Sequence, residues 1–196
     1  MKRKGWFSIP GLQDGDRTLE DQVRAVRPAI AECKGRTVLD LGCAEGLISL
    51  EFAKAGAKSV HGIDSILGNV NTAWQVCKGW PVTFETADLN LYIKDEFKRD
   101  LMPQYDIVLA LGVTHKLHDP ADGVVFAARI AKDLVLFRSG RAARDGVITN
   151  KWNSKVAVNA HKLMAMNGWR LDRVVKGPPP HSEDVEYWRP ALPAAA

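Results

Sequence analysis

The chain has 196 residues, 46% apolar and 26% charged, which suits one domain with a sizeable core and excludes a disordered or fibrous chain. No apolar run approaches the roughly 18–20 residues that cross a bilayer, and the N-terminus MKRKGWFSIPG lacks the apolar stretch of a secretion signal, so a cytoplasmic protein is expected. The net charge of +4 is uneven: residues 1–36 carry eight Lys/Arg against five Asp/Glu, 37–137 nine against thirteen, and 138–196 ten against five, and such basic ends attract anions or simply aid solubility.

Residues 1–36 read as an N-terminal arm followed by one helix, over about 18–32, with Thr18 as its cap. The arm holds Trp6 and Phe7 among Gly and Pro. It can close over a ligand as a lid or pack its aromatics on the domain. From residue 37 to 196 the chain reads as a second unit, opening with short apolar runs that alternate with helical stretches. Strands are predicted at 37–41, 58–64, 81–88, 105–112 and 133–139, and helices at 46–56, 66–78, 91–101 and 120–132. Strand starts spaced by roughly 20–28 residues suit right-handed crossovers in a parallel sheet. The near-continuous apolar strands suit a sheet covered on both faces. A further helix is predicted at 153–167, then strands at 169–175 and 184–190 with no helix between them, so these two pair antiparallel.

VLDLGCAEG (38–46) is the most informative segment. A strand runs into a loop with Gly42, Ala44 and Gly46, and a helix opens. Small residues let backbone and helix N-terminus approach a ligand, here at the carboxyl ends of parallel strands. Asp64 ends the next strand, where a carboxylate can accept hydrogen bonds from ribose hydroxyls. A nucleoside cofactor therefore fits. The dinucleotide pattern G-x-G-x-x-G fails at Ala44 and Leu47, and no Gly-Lys-Ser/Thr follows. Asp40 and Glu45 at the loop oppose a pyrophosphate but tolerate a cationic ligand.

Taken in order, VLDLGCAEG, GID (62–64), TADLN (86–90) and YDIVLALG (105–112) resemble the class I S-adenosylmethionine-dependent methyltransferases, over about residues 36–190. The resemblance implies an α/β fold: a Rossmann-like, doubly wound, seven-stranded, mostly parallel sheet with an antiparallel C-terminal strand. It implies S-adenosylmethionine as cofactor. Asp40 and the loop Gly42, Ala44 and Gly46 would lie beside its methionine part, and Asp64 would hold the ribose. Ser65 or Ile66 would border the adenine, Asp88 would accept from the adenine amino group, and Leu89 would donate a backbone N–H. Leu111 and Gly112 would line the methionine side. Ala44 departs from the glycine common at this place.

The loop LGVTHKLHDP (111–120) follows the fourth of these strands and carries His115 and His118. Either histidine could act as a general base for an acceptor that must lose a proton; His118-Asp119-Pro120 also makes an ordinary helix start. The same ten residues look somewhat like the tRNA wobble-uridine-modifying branch of the family. H-x-x-H lacks a third ligand, so no metal is expected. The three cysteines, Cys33, Cys43 and Cys77, are odd in number and lack C-x-x-C spacing, which argues against a disulfide framework. Arg138 and Arg141, with Ser139 and Arg144, are candidate contacts for an anionic substrate. Trp152, Trp169 and Trp188 are expected to anchor the C-terminal strands, although tryptophan also stacks on bases. The function expected is methyl transfer to an O or N acceptor on a small molecule. The alternatives are a tRNA-modifying methyltransferase and a non-catalytic S-adenosylmethionine-binding module.

Overall fold

The computed structural model describes residues 4–95, 102–138, 146–177 and 184–191. The chain opens with a two-stranded parallel ribbon, β1 (Lys4–Phe7) and β2 (Asp14–Arg17). Sequence alone did not reveal this ribbon, because its strands are short and Gly-rich. The helix expected over 18–32 is broken into α1 (Leu19–Val23), a 3-10 turn (Arg24–Val26) and α2 (Arg27–Ala31). Pro28 explains the break: it lacks an N–H and its ring would strike the carbonyl four residues back. Thr18 caps α1 as expected, accepting from the Asp21 N–H at 3.2 Å.

β3 (Thr37–Leu41), α3 (Leu47–Lys54), β4 (Ser59–Asp64), α4 (Leu67–Val76) and β5 (Val82–Thr86) then follow the predicted alternation. Only one turn of the helix expected at 91–101 is described, as α5 (Leu89–Tyr92), and residues 96–101 lie outside the described set. β6 (Tyr105–Leu111) leads through a 3-10 turn (Thr114–Lys116) to α6 (Pro120–Ile130). Asp119 caps α6 by accepting from the Ala121 N–H at 2.9 Å, and Pro120 sits at its first position. β7 (Ala131–Arg138) follows directly.

The helix expected at 153–167 starts late, and Ala157–Asn159 within that span are strand. β8 (Val147–Thr149) and β9 (Ala157–Asn159) form an antiparallel hairpin, and α7 spans only Ala160–Met166. Asn159 sets that start by accepting from the Lys162 N–H at 2.8 Å. β10 (Trp169–Val175) and β11 (Val185–Pro190) close the chain as the expected antiparallel pair.

Seven strands form one sheet in the order β10-β11-β7-β6-β3-β4-β5, with β11 antiparallel to both neighbours and the other pairs parallel. This is the expected doubly wound architecture. Two apolar layers cover its faces. Val38, Ile107, Leu134 and Leu136 face a layer that includes Phe52 and Ala73 from α3 and α4, and Val23 and Ala29 from the first 36 residues. Leu39, Val108, Val135 and Phe137 face a layer that includes Val124 and Ala127 of α6 and Met164 of α7. Alternation along each strand puts successive side chains on opposite faces. Strand order reverses between β3 and β6, and a crevice opens there at their carboxyl ends. Among the described residues no helix is long and apolar enough to cross a membrane.

Candidate cofactor and acceptor site

The loop after β3 is shaped by its neighbours. Gly42 and Cys43 donate backbone N–H groups to the Ile63 carbonyl at 2.8 and 3.0 Å. Gly46 turns the chain into α3 with φ of 73°, and a Cβ there would stand 2.7 Å from Phe84 Cζ and 2.9 Å from Ala73 Cβ. Only glycine meets both demands. Ala44 adopts φ of 49°, the only non-glycine residue with positive φ among those described. A left-handed alanine is strained by about 1–2 kcal/mol, which gives the glycine preference at this place a physical cause. Ala44→Gly is therefore expected to raise the unfolding free energy by about 0.5–1 kcal/mol, less than the full strain because glycine also loosens the unfolded chain. Urea unfolding checks this.

A cavity of about 400 Å³ lies over this loop. Gly42 and Ala44 line it, as do Asp64, Ser65, Asp88 and Leu89 from the ends of β4 and β5, and Leu111 and Gly112 from the end of β6. Eight of the ten predicted cofactor residues thus come together. Asp64 is 9% exposed and ties two loops. Its Oδ2 accepts from the Ala44 N–H at 3.0 Å, and its Oδ1 accepts from the Ile66 N–H at 2.9 Å and Asn69 Nδ2 at 3.1 Å. Asp88 caps α5, with Oδ1 accepting from both the backbone N–H and Nδ2 of Asn90 at 2.9 Å. Asn90 Oδ1 in turn accepts from the His118 N–H at 2.7 Å, linking α5 to the loop after β6.

The other predicted positions are placed differently. Gly46 lies behind the lining and packs α3 against α4 and β5. Asp40 is buried beneath the loop, where Ser49 Oγ donates to it at 2.7 Å, and burial pushes its carboxyl up to about 6. It braces α3 and does not line the cavity. Glu45 is fully buried rather than facing a cationic ligand. Its carboxylate accepts from the Trp6 N–H at 2.8 Å, the Phe7 N–H at 3.1 Å and Gln13 Nε2 at 2.9 Å. The N-terminal ribbon is thereby clasped to the glycine loop, and Gly5 and Trp6 become cavity wall.

Arg138 corrects the expectation of a substrate contact. It is 4% exposed, and its guanidinium donates to Gln22 Oε1 at 2.5 Å and to the Gln22 carbonyl at 2.6 Å. It braces α1 because its side chain leaves β7 on the face that α1 covers. Arg141 lies outside the described residues, as do Ser139 and Arg144. Trp169 and Trp188 are buried anchors, whereas Trp152 is 71% exposed and anchors nothing.

Neither histidine lines the cavity. His118 is exposed. The His115 ring is largely buried, and its Nδ1 finds no hydrogen-bond partner among the described residues. Burial, then the Lys116 and Lys151 charges, push its pKa down to about 4. The unfolded chain therefore binds a proton below about pH 6.5 that the folded chain takes up only near pH 4. Stability from this group is full above pH 6.5 and is lost as pH falls toward 4. Relative to His115→Gln, the wild type is expected to lose about 2 kcal/mol across that window, once screening at a partly exposed ring is allowed for. Urea unfolding of both proteins at several pH values checks the difference.

Sequence reasoning missed Asn69, Asn90 and Lys116. Asn69 has no motif signal, and Asn90 in TADLN and Lys116 in LGVTHKLHDP stand beside residues with stronger signals. Lys116 lines the cavity near Leu111 and Gly112 and holds its Nζ 4.9 Å from the Trp6 ring centroid.

Comparison with known proteins agrees with this geometry. A tRNA U34 carboxymethyltransferase of Methylococcus capsulatus is 36% identical over 127 residues, 63% of this chain and 37% of that protein. A ubiquinone biosynthesis O-methyltransferase of the same organism is 30% identical over 99 residues, 50% of this chain and 40% of that protein. The chain thus spans less than half the length of these curated relatives. The crystal structure of magnesium protoporphyrin IX methyltransferase from Synechocystis PCC 6803 with bound SAM superposes with a TM-score of 0.64 at 21% identity, covering 87% of this chain and 80% of that one. The family model described as "Methyltransferase domain" matches residues 15–188. The chain belongs to this methyltransferase-domain family.

Proposed function

We propose that this chain is a methyltransferase that binds S-adenosylmethionine in the cavity and transfers its methyl group to an O or N acceptor on a small molecule. The observation that carries the reading is Asp64, a buried carboxylate lining a cavity at the carboxyl ends of parallel strands. The donor set fits the cofactor. Asp64 and Asp88 suit ribose hydroxyls and an adenine amino group, Leu89 offers a backbone N–H, and a single lysine among the lining residues would give a pyrophosphate little support. When bound, S-adenosylmethionine supplies a methyl group already activated by its sulfonium.

What the chain supplies is position. Gly42, Leu111 and Gly112 would shape the methionine end, and Trp6 on the clasped ribbon would exclude water there as a lid. The lining holds no histidine, so this reading rests on orientation rather than on a general base. A cytoplasmic setting, as expected from the sequence, goes with it.

A second reading, methylation of a nucleotide in tRNA, is favoured by the similarity to the tRNA U34 carboxymethyltransferase. Incubation with S-adenosylmethionine tritiated at the methyl group, followed by separate counting of a small-molecule extract and of total tRNA, tests both. Label in the small-molecule extract would support the first reading. Label in tRNA alone would shift the acceptor to RNA. Label in neither pool would overturn the enzymatic reading in favour of a non-catalytic cofactor-binding module.

A further inference from the structure

One surface outside the cavity combines aromatic faces with positive charge. Trp152 is 71% exposed, and Lys151 holds its Nζ 4.7 Å from the Trp152 ring centroid. The turn that carries them is firmly mounted. Asn150 is buried, its amide donates to the Leu117 and His118 carbonyls, and its Oδ1 accepts from the N–H groups of Trp152 at 2.7 Å and Asn153 at 2.8 Å. The Lys151 N–H donates to the His115 carbonyl at 2.7 Å, which stitches this turn to the loop after β6. The next residue of that loop is Lys116, over the Trp6 ring at the cavity wall. Arg17 lies on Trp6 as well, 5.5 Å from the ring centroid. Outward from the cavity the path therefore runs Trp6, Lys116, Lys151, Trp152.

A lone exposed apolar side chain is ordinary. Two tryptophans with cations over their rings, joined by one backbone hydrogen bond and leading to a cavity, form a surface of defined chemistry. Lysines alone would suit any anion, and tryptophans alone any apolar group. Cations set between two aromatic faces suit a single strand of nucleic acid, which carries phosphates between unstacked base faces.

We propose that Trp6, Lys116, Lys151 and Trp152 form a track for single-stranded RNA that leads a nucleotide to the mouth of the cavity. This rests on the methyl-transfer reading and favours its second acceptor class. Lys155, exposed in the same turn, adds a phosphate contact.

The test is fluorescence anisotropy of the full chain with a labelled, mixed-sequence oligoribonucleotide of about 12 nucleotides, titrated at about 50 and about 200 mM salt. Three lysines on phosphates predict a slope of about −2 in log affinity against log salt, from about −0.7 per phosphate. Trp152→Ala is expected to weaken binding about tenfold with the slope unchanged, because it removes a stacking face and no charge. Lys151→Ala with Lys155→Ala is expected to flatten the slope by about 1.4. A duplex of the same length should compete poorly, its bases being already stacked. No binding at the lower salt, a Trp152→Ala effect under about threefold, or equal competition by the duplex would overturn the track.

Calorimetry with S-adenosylhomocysteine on the same proteins separates the two claims. Cofactor binding without strand binding removes the track and leaves a small-molecule acceptor. Strand binding without cofactor binding removes the methyl-transfer reading and keeps the track as a binding surface.

Discussion

Asp64→Asn is expected to weaken S-adenosylhomocysteine binding by about 10- to 100-fold, or roughly 1.5–3 kcal/mol, the worth of hydrogen bonds to a charged group. An ionised carboxylate offers about four lone-pair sites. The Ala44 N–H, the Ile66 N–H and Asn69 Nδ2 account for three of them. Asparagine cannot replace it quietly. One of its terminal atoms is an NH₂ donor, and in either amide orientation that donor meets a donor: the Ala44 N–H on one side, or the Ile66 N–H and Asn69 Nδ2 on the other. Either orientation therefore breaks the tie to one of the two loops and removes the charge that a ribose hydroxyl would donate to. Asp88→Asn should do less, since Asp88 is exposed and both of its bonds fall on Oδ1. Calorimetric titration of the two variants checks the contrast, and an Asp64→Asn effect under about threefold would remove the ribose assignment.

The second large effect is expected at Glu45. Glu45→Ala removes the acceptor of the Trp6 N–H, the Phe7 N–H and Gln13 Nε2 at once. Each donor left buried without a partner costs about 1–3 kcal/mol. The loss does not simply add, because residues 4–17 can undock and rehydrate. It saturates at what ribbon docking is worth, which includes burial of the Phe7 ring at 2% exposure. A destabilisation of about 3 kcal/mol with local release of the ribbon follows. Hydrogen exchange should show residues 4–17 losing protection while β3 and β6 keep theirs. Gln13 also donates to the Phe7 carbonyl at 2.9 Å, and a Cβ on Gly5 would stand 1.7 Å from Gln13 Nε2. The ribbon is therefore packed too closely at Gly5 to admit a side chain there. Unchanged protection of residues 4–17 in Glu45→Ala would show that the clasp does not hold the arm. Cofactor affinity should fall with release, since Gly5 and Trp6 are cavity wall.

The sheet was legible because its signals are local and strong. Near-continuous apolar runs such as Ile107–Leu111 and Leu134–Phe137 declare buried parallel strands. Gly42, Ala44 and Gly46 declare the loop that follows, and Asp64 declares its partner strand. What the sequence hid depends on contacts across long separations. Glu45 looks like a loop carboxylate until the ribbon brings three donors to it from more than thirty positions away. Arg138 looks like a site-edge arginine until Gln22 meets it from 116 positions away. His115 and His118 share a loop with the cavity wall, yet neighbours in sequence need not share a surface, and Lys116 and Leu117 between them are the residues that line it. The strand Ala157–Asn159 was read as the start of a helix because Val156 continues the helical spacing of Ala160, Leu163 and Met164, whereas the Asn159 cap starts the helix only at Ala160.

The central claim is that this cavity binds S-adenosylmethionine. Isothermal titration calorimetry of the wild-type chain with S-adenosylhomocysteine tests it most directly. One site per chain is expected, with a dissociation constant of about 1–100 μM, on the order of −8 to −5.5 kcal/mol. No heat, together with no ligand-induced rise in the unfolding temperature of the folded protein, would contradict it.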